Sequence, residues 1–360
     1  MMRTDLSIII PVYNGGRYIK RCLGSILRQQ NAPQYEIVVV NDGSTDNTAQ
    51  ILNKFAQKYN NIYIIDQQNA GVSVARNNGI AASSGEYVTF VDCDDMVGLN
   101  VSGFDAYFNG ANYHNSLNNM RIACNERGIP KFNARCFDDK YFINMLDIAN
   151  KVSADVVFAG KITVNNAGMY GRGHTYASDY VYDSRPDNKD AILQHADVRE
   201  NANFALYRRS MLNKHSLRFI PNMQLDEDIL FCMLAVIYAD KVATVKDATY
   251  FYNRHENTLS NITNNSEMRH KYAVSNIQRF SVLLNELARH PDYDITFNRW
   301  IKKFAKLGVA YDMHLDAYPP KMCYNCYEKT CGDCLYAEHM REQVKENITN
   351  FITNNNVKKL

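Results

Sequence analysis

The first ninety residues alternate between two hydrophobic periods, and this alternation restricts the chain to few folds. Short β-rich runs stand at residues 6–12, 36–40, 62–65 and 87–91. Each is too short for a helix and apolar enough for a strand buried on both faces. Between them Tyr18, Ile19, Cys22, Leu23, Ile26 and Leu27 recur at spacings of three and four, as do Ile51, Leu52 and Phe55, so each linking segment presents one apolar stripe. Strand, helix and strand in repetition predict an α/β, Rossmann-like domain with a parallel sheet between helices.

Past Asp95 the pattern lapses. Residues 97–136 are rich in Asn and Gly without sustained periodicity, as expected of an insertion or lid. Helical spacing returns at 142–152, a strand is expected at 154–159, a helix at 226–239 and an extended segment at 243–252. From about residue 267 the chain reads as helical. Ile277, Phe280, Leu283, Leu284 and Leu287 form one stripe, and Trp300, Ile301, Phe304, Leu307 and Tyr311 another. The expected division is therefore 1–265 and 266–360, the second part a C-terminal helical region able to support homo-oligomers.

Charge excludes some partners. Forty Lys and Arg against 38 Asp and Glu leave a formal charge of +2, too little for nucleic acid to be the principal ligand. No apolar run approaches the ~20 residues that span a bilayer. The N-terminus lacks secretory character, and the nine cysteines read as thiols or metal ligands in a reducing compartment. The expected location is cytoplasmic, with peripheral contact at the inner face of a membrane.

In open parallel sheets ligands bind beyond the carboxyl ends of the strands, which here carry PVYNGG, NDGSTDNT and VDCDD. In the first, Pro11 stops the strand ladder, Tyr13 offers a ring and Asn14 an amide; alone it also reads as a plain strand-to-helix turn. In the second, Asp42 at a strand tip can accept a bond from a ring N–H while Gly43 lets a ligand approach the backbone, although Ser44, Asp46 and Thr48 also suit helix capping. The third string is sharper. Asp92, Asp94 and Asp95 put three carboxylates within four residues, a repulsive cluster that reads either as a solvated acidic turn or as a site for Mg²⁺ or Mn²⁺ shared with a substrate diphosphate.

LSIIIPVYNGGRYIKRCLGSIL, EIVVVNDGSTDNT, QNAGVSVARNNGIAASSGEYVTFVDCDD and, downstream, LDEDILF together resemble the inverting glycosyltransferases of family 2, which have the GT-A fold. The likeness is close over about 1–96 and loose over 137–262. It implies a nucleotide-sugar-binding domain in which Pro11, Tyr13 and Asn14 border the base, Asp42 bonds uracil, and Asn69 and Arg76 line the pocket. Asp92 would meet the ribose or donor sugar, and Asp94 would bind the Mn²⁺ or Mg²⁺ that bridges the diphosphate. Inversion needs a base opposite the leaving group. The resemblance implies Asp228 for it, with Glu227 orienting sugar hydroxyls; without the resemblance, Asp226 reads as an N-cap and Glu227 and Asp228 as anions at the positive end of a helix. FYNRHENTLS resembles a family segment that closes over the diphosphate, so Arg254 or His255 would neutralise leaving-group charge; a surface loop is the other reading.

The implied partners are a UDP-sugar and a saccharide or lipid-linked saccharide acceptor in surface polysaccharide or glycan synthesis. Two other classes stay open. A nucleotidyltransferase would want a Gly-rich phosphate loop where PVYNGG stands, and a non-catalytic nucleotide-sugar-binding module would use the helical tail for docking. Outside the resemblance, Cys323, Cys326, Cys331 and Cys334 form two CxxC pairs. They read as a structural Zn²⁺ site, as buried thiols or as disulfides, with the short spacing between pairs counting against zinc.

Overall fold

The computed structural model describes residues 4–98, 139–165, 170–174, 176, 178–185, 202–223, 226–254 and positions 279, 282, 283, 286 and 289. The chain runs β1 (Leu6–Val12), α1 (Ile19–Leu27), β2 (Tyr35–Asp42), α2 (Thr48–Lys58), β3 (Ile62–Gln67), α3 (Val72–Ala82), β4 (Tyr87–Phe90) and β5 (Met96–Val97). It continues with α4 (Tyr141–Val152), β6 (Val156–Asn165), β7 (Tyr170–His174), β8 (Tyr180–Asp183), β9 (Ala205–Arg208), α5 (Arg209–Lys214), α6 (Glu227–Tyr238) and β10 (Lys241–Arg254). The expected insertion beyond Val97, the Cys cluster and nearly all of the expected helical tail lie outside the described residues. Leu283 of the first tail stripe is buried in the main core.

One sheet organises these elements in the order β3-β2-β1-β4-β9-β6-β10-β5, with β7 beside β6 and β8 beside β10. The expected parallel arrangement holds across β3, β2, β1 and β4. It then gives way to a mixed sheet, because β9 runs antiparallel to both β4 and β6. Every residue of β1 is buried, as a continuous apolar run predicts for a strand with neighbours on both edges and cover on both faces. Its one hydroxyl is satisfied: Ser7 Oγ donates to Glu36 Oε1 at 2.6 Å and accepts from the Gly85 N–H at 2.9 Å.

The sheet parts where β1 ends. The β1–β4 ladder stops at Ile9 opposite Phe90, whereas the β1–β2 ladder continues to Val12 opposite Asn41. Pro11 lies two residues beyond Ile9, so its missing N–H faces the side from which β4 has departed, and no ladder bond is lost. This divergence opens the crevice that open α/β sheets use for ligands.

Helix α3 presses on β1 with little clearance. A Cβ built on Gly79 would fall 2.3 Å from Ile9 Cγ2, which requires glycine at this contact. Gly79→Ala is expected to cost ~1–3 kcal/mol through overpacking, read as a lower urea midpoint with an unchanged slope.

Two residues earlier in α3, Asn77 clasps the loop before α6: its Nδ2 donates to the Phe219 carbonyl at 2.8 Å and its Oδ1 accepts the Phe219 N–H at 2.9 Å. Phe219 then stacks on Phe231 at 4.1 Å, and both meet the edge of Phe90. This aromatic cluster holds the start of α6 over the carboxyl end of β4. Among the described residues no helix is long and apolar enough to cross a membrane.

Candidate functional site

Four segments distant in sequence converge beyond β4. Arg76 from α3 is 3% exposed and forms two ion pairs, Nη2 to Asp92 Oδ1 at 2.9 Å and Nη1 to Glu227 Oε1 at 2.8 Å. Its guanidinium also lies 5.1 Å from the centroid of the Phe219 ring. Burial opposes the charge on Arg76, but Asp92, Glu227 and Asp228 outweigh it and raise the guanidinium pKa. The other Asp92 oxygen accepts from Asn203 Nδ2 at 2.5 Å. Burial, reinforced by Asp94, raises the Asp92 pKa against the pull of Arg76 and Asn203.

The three carboxylates of VDCDD therefore have different environments. Asp92 faces Arg76 and Asn203. Asp95 is fully buried and structural: it accepts the Tyr250 hydroxyl at 2.6 Å and the Asn253 N–H at 2.8 Å, tying the acidic loop to β10. Burial and then the charges of Asp94 and Asp92 push its pKa well above the usual range. Asp94 is half-buried, and its carbonyl accepts from Arg21 Nη2 at 3.1 Å. Among the described residues no group of three or more His, Cys, Asp or Glu is disposed to hold a metal. The donor set fits a cation carried chiefly by substrate oxygens and water with one protein carboxylate, the manner in which Mg²⁺ accompanies a diphosphate.

Helix α6 begins on an unusual residue. Asp226 occupies the N-cap position with φ 61° and makes no side-chain capping bond; its Oδ2 instead accepts from Arg279 at 3.1 Å. The expected capping alternative thus fails for Asp226. Glu227 turns one oxygen to Arg76, and among the described residues its other oxygen has no protein partner. Asp228 Oδ1 accepts only the neighbouring Ile229 N–H at 2.7 Å, which likewise leaves Oδ2 without a protein partner among the described residues. Burial, then the Glu227 charge, pushes the Asp228 carboxyl up to about 8 despite Arg76. A carboxylate poised near neutrality and not consumed by the fold suits proton transfer.

The expected base-binding residues line the β1–β2 side of the crevice. Tyr13 is 52% exposed, so its ring is open for stacking. Asn14, at φ 50°, also braces the site: its Oδ1 accepts the Thr45 N–H at 2.8 Å, and its own N–H donates to Ser44 Oγ at 3.0 Å. Asp42 is buried and collects Gln67 Nε2, the Ala70 N–H and the Gly71 N–H at 2.8–3.0 Å. Three donors leave a carboxylate one free acceptor direction, enough for one base N–H. Asn69 is exposed on the loop that Asp42 holds, packed over Gly43, where any Cβ would sit 2.8 Å from the Asn69 nitrogen. Arg254 is exposed one residue beyond Asn253, which bonds Asp95; His255 lies outside the described residues.

Asn203, Asn77 and Tyr250 belong to this assembly and carry no signal in the sequence reading. Asn203 is a single amide in a stretch without a motif, joined to Asp92 only by the fold.

The Glycosyl transferase family 2 profile matches residues 7–98. Over 92 residues the chain is 49% identical to Glycosyltransferase GlyA of Streptococcus pneumoniae, covering 26% of this chain and 13% of that protein. Over 250 residues it is 26% identical to the poly(ribitol-phosphate) beta-glucosyltransferase of Bacillus spizizenii, covering 69% of this chain and 32% of the relative. The chain thus spans a third or less of the length of these two relatives. Among solved structures, residues 1–349 of S. aureus TarS in complex with UDP-GlcNAc share the fold at TM-score 0.53 and 19% identity, covering 96% of this chain and 89% of that one. Residues 7–98 are thus similar to glycosyltransferase family 2, and the fold is that of the GT-A-like TarS, with the strand-tip carboxylate Asp92 brought together with Glu227 in one crevice.

Proposed function

We propose that this chain is an inverting glycosyltransferase that moves a sugar from a UDP-sugar to a hydroxyl of a saccharide or lipid-linked saccharide. The observation that carries the reading is the Arg76 bridge, which joins Asp92 of the strand tip to Glu227 beside Asp228. A capping role alone would not require a buried cation linking these acids. The relatives named for glycosyl transfer onto poly(ribitol-phosphate), and the TarS complex with UDP-GlcNAc, support a UDP-sugar and a polysaccharide acceptor.

The nucleotide would lie across the β1–β2 tips, with its base against Tyr13 and its ring N–H on the free direction of Asp42. Asp94 would hold Mn²⁺ or Mg²⁺, which when bound neutralises diphosphate charge. Arg254 would add positive charge to the leaving group. Asp228 accepts the acceptor hydroxyl proton as the new bond forms between that oxygen and the anomeric carbon, and the bond from that carbon to the diphosphate oxygen breaks with its electron pair leaving on UDP. The free oxygen of Glu227 orients the donor sugar.

The test is release of nucleotide from a series of UDP- and GDP-sugars with Mn²⁺ or Mg²⁺, with and without glycan acceptors. Asp94→Asn is expected to abolish the dependence of UDP affinity on Mn²⁺ while the protein remains folded, since an amide replaces a charged ligand oxygen. Calorimetry giving the same metal-dependent affinity as the wild type would remove Asp94 from the cation site.

A further inference from the structure

Helices α1 and α2 lie on the face of the sheet opposite α3, and a groove of about 1070 Å³ runs between them. Its lining includes six cations, Arg17, Lys20, Arg21, Arg28, Lys54 and Lys58, and among the described residues no carboxylate. Neither helix contains an acidic residue. Arg17, Lys20, Lys54 and Lys58 are exposed and form no ion pair among the described residues. Such like charges repel one another, so these four favour an anionic occupant of the groove.

The floor narrows the choice. Tyr18, Phe55 and Tyr59 are half-buried along it, with Phe55 and Tyr59 stacked at 6.0 Å. Cations already cover two of these rings, Arg17 and Arg21 that of Tyr18, and Lys58 that of Tyr59. Faces occupied in this way are poor platforms for inserted nucleobases. No large apolar side chain of α1 or α2 protrudes into solvent, and a concave surface without an apolar anchor is ill-suited to a bilayer. A flexible chain that alternates sugars with anionic groups needs no free ring face, and its charges meet the cations of the rim.

The groove also reaches the candidate active site. Arg21, in its lining, donates to the Asp94 carbonyl at 3.1 Å. We propose that the α1–α2 groove is a docking site for a polyanionic glycan, one carrying phosphodiester or uronate groups, that holds the acceptor chain beside the transfer site. The acceptor role rests on the transferase reading, whereas the binding itself is measured without it.

The test compares the full chain with Lys20→Glu/Lys54→Glu/Lys58→Glu, whose changes are exposed and lie outside the nucleotide site. Titrations use poly(glycerol phosphate) and hyaluronan as charged glycans, dextran as the neutral one, poly(U), and vesicles of phosphatidylglycerol with phosphatidylcholine. The wild type is expected to bind at least one charged glycan, less tightly as salt is raised, and not to bind dextran. The triple variant should bind that glycan roughly 10-fold or more weakly, with wild-type circular dichroism and UDP affinity. Should the triple variant fold poorly, the single variants Lys20→Glu and Lys54→Glu are each expected to weaken glycan binding. Wild-type glycan affinity in the folded variants overturns the proposal, as does binding of poly(U) or vesicles that exceeds that of both charged glycans. Failure of the transferase reading would appear separately, as a wild type that releases no nucleotide from any donor.

Discussion

Asp228→Asn is expected to lower sugar transfer by roughly 10²–10⁴-fold, the usual contribution of a general base, while UDP affinity stays near that of the wild type. The same substitution should stabilise the protein at alkaline pH. In the fold the Asp228 carboxyl is pushed up to about 8 by burial and by Glu227, far above the ~3.9 of an unfolded aspartate. A raised carboxylate pKa means that the folded state binds the proton more tightly, so this group's contribution to stability declines as pH rises from about 4 through about 8. Asparagine removes that decline, and a Tm gain of a few degrees over the wild type should appear at pH above 8 and vanish towards pH 4. For the wild type, kcat/KM should rise with pH through the same interval, because the base must be ionised to accept a proton. A helix-end anion without a catalytic role would show neither the rate loss nor the opposed responses of activity and stability. Near-normal turnover of Asp228→Asn with a competent acceptor would remove it from the mechanism.

How much of this arrangement was legible depends on the range of the interactions. Strands β1, β2, β3 and β4 stand where the sequence predicts them, within two residues at either end; β1 and β4 are buried throughout, whereas β3, at the sheet edge, buries only Ile62 fully. Strand β9 was not legible. Its four residues ALYR occur in a stretch without periodicity, and they form a strand because β4 and β6 supply antiparallel partners on both sides. The expectation of a parallel sheet rests on the first ninety residues and holds there; beyond β4 only tertiary pairing decides.

The candidate site divides in the same way. Asp42, Asp94 and Asp228 stand in strings whose position at a strand tip or helix start is readable in the chain. What each carboxylate bonds is not readable there. Asp95 looks equivalent to Asp94 in the sequence, yet the Tyr250 hydroxyl and the Asn253 N–H, both from β10, make it a structural anchor. Asn14 reads as a base-binding amide and in addition ties the β1 turn to the β2 turn through Thr45. Asn203 lies 111 residues from its partner Asp92, and no spacing rule connects them.

Arg76→Leu tests whether this long-range network carries the fold as well as the site. Leucine matches much of the volume but leaves Asp92 and Glu227 facing each other without the cation that separates them, and among the described residues the Asp92 carboxylate retains only Asn203. Removing one partner of a buried ion pair typically costs about 3–5 kcal/mol, because the remaining charge keeps its desolvation penalty and loses its compensation. A loss of that size is expected in urea unfolding at neutral pH. The deficit should shrink as pH falls, since protonation of the orphaned Asp92, whose pKa burial already raises, removes its buried charge, and it should widen as pH rises. Arg76→Lys separates charge from geometry. One ammonium supplies the cation but cannot reproduce two contacts made by different guanidinium nitrogens at 2.9 and 2.8 Å, so it should recover part of the stability and less of the activity. Adding Glu227→Gln to Arg76→Leu should return part of the lost stability, as one of the two uncompensated charges disappears. If Arg76→Leu cost less than about 1 kcal/mol, the range of an exposed pair, at every pH, the bridge would be incidental to folding and the alignment of Asp228 would have to come from the Phe219 and Phe231 stack alone.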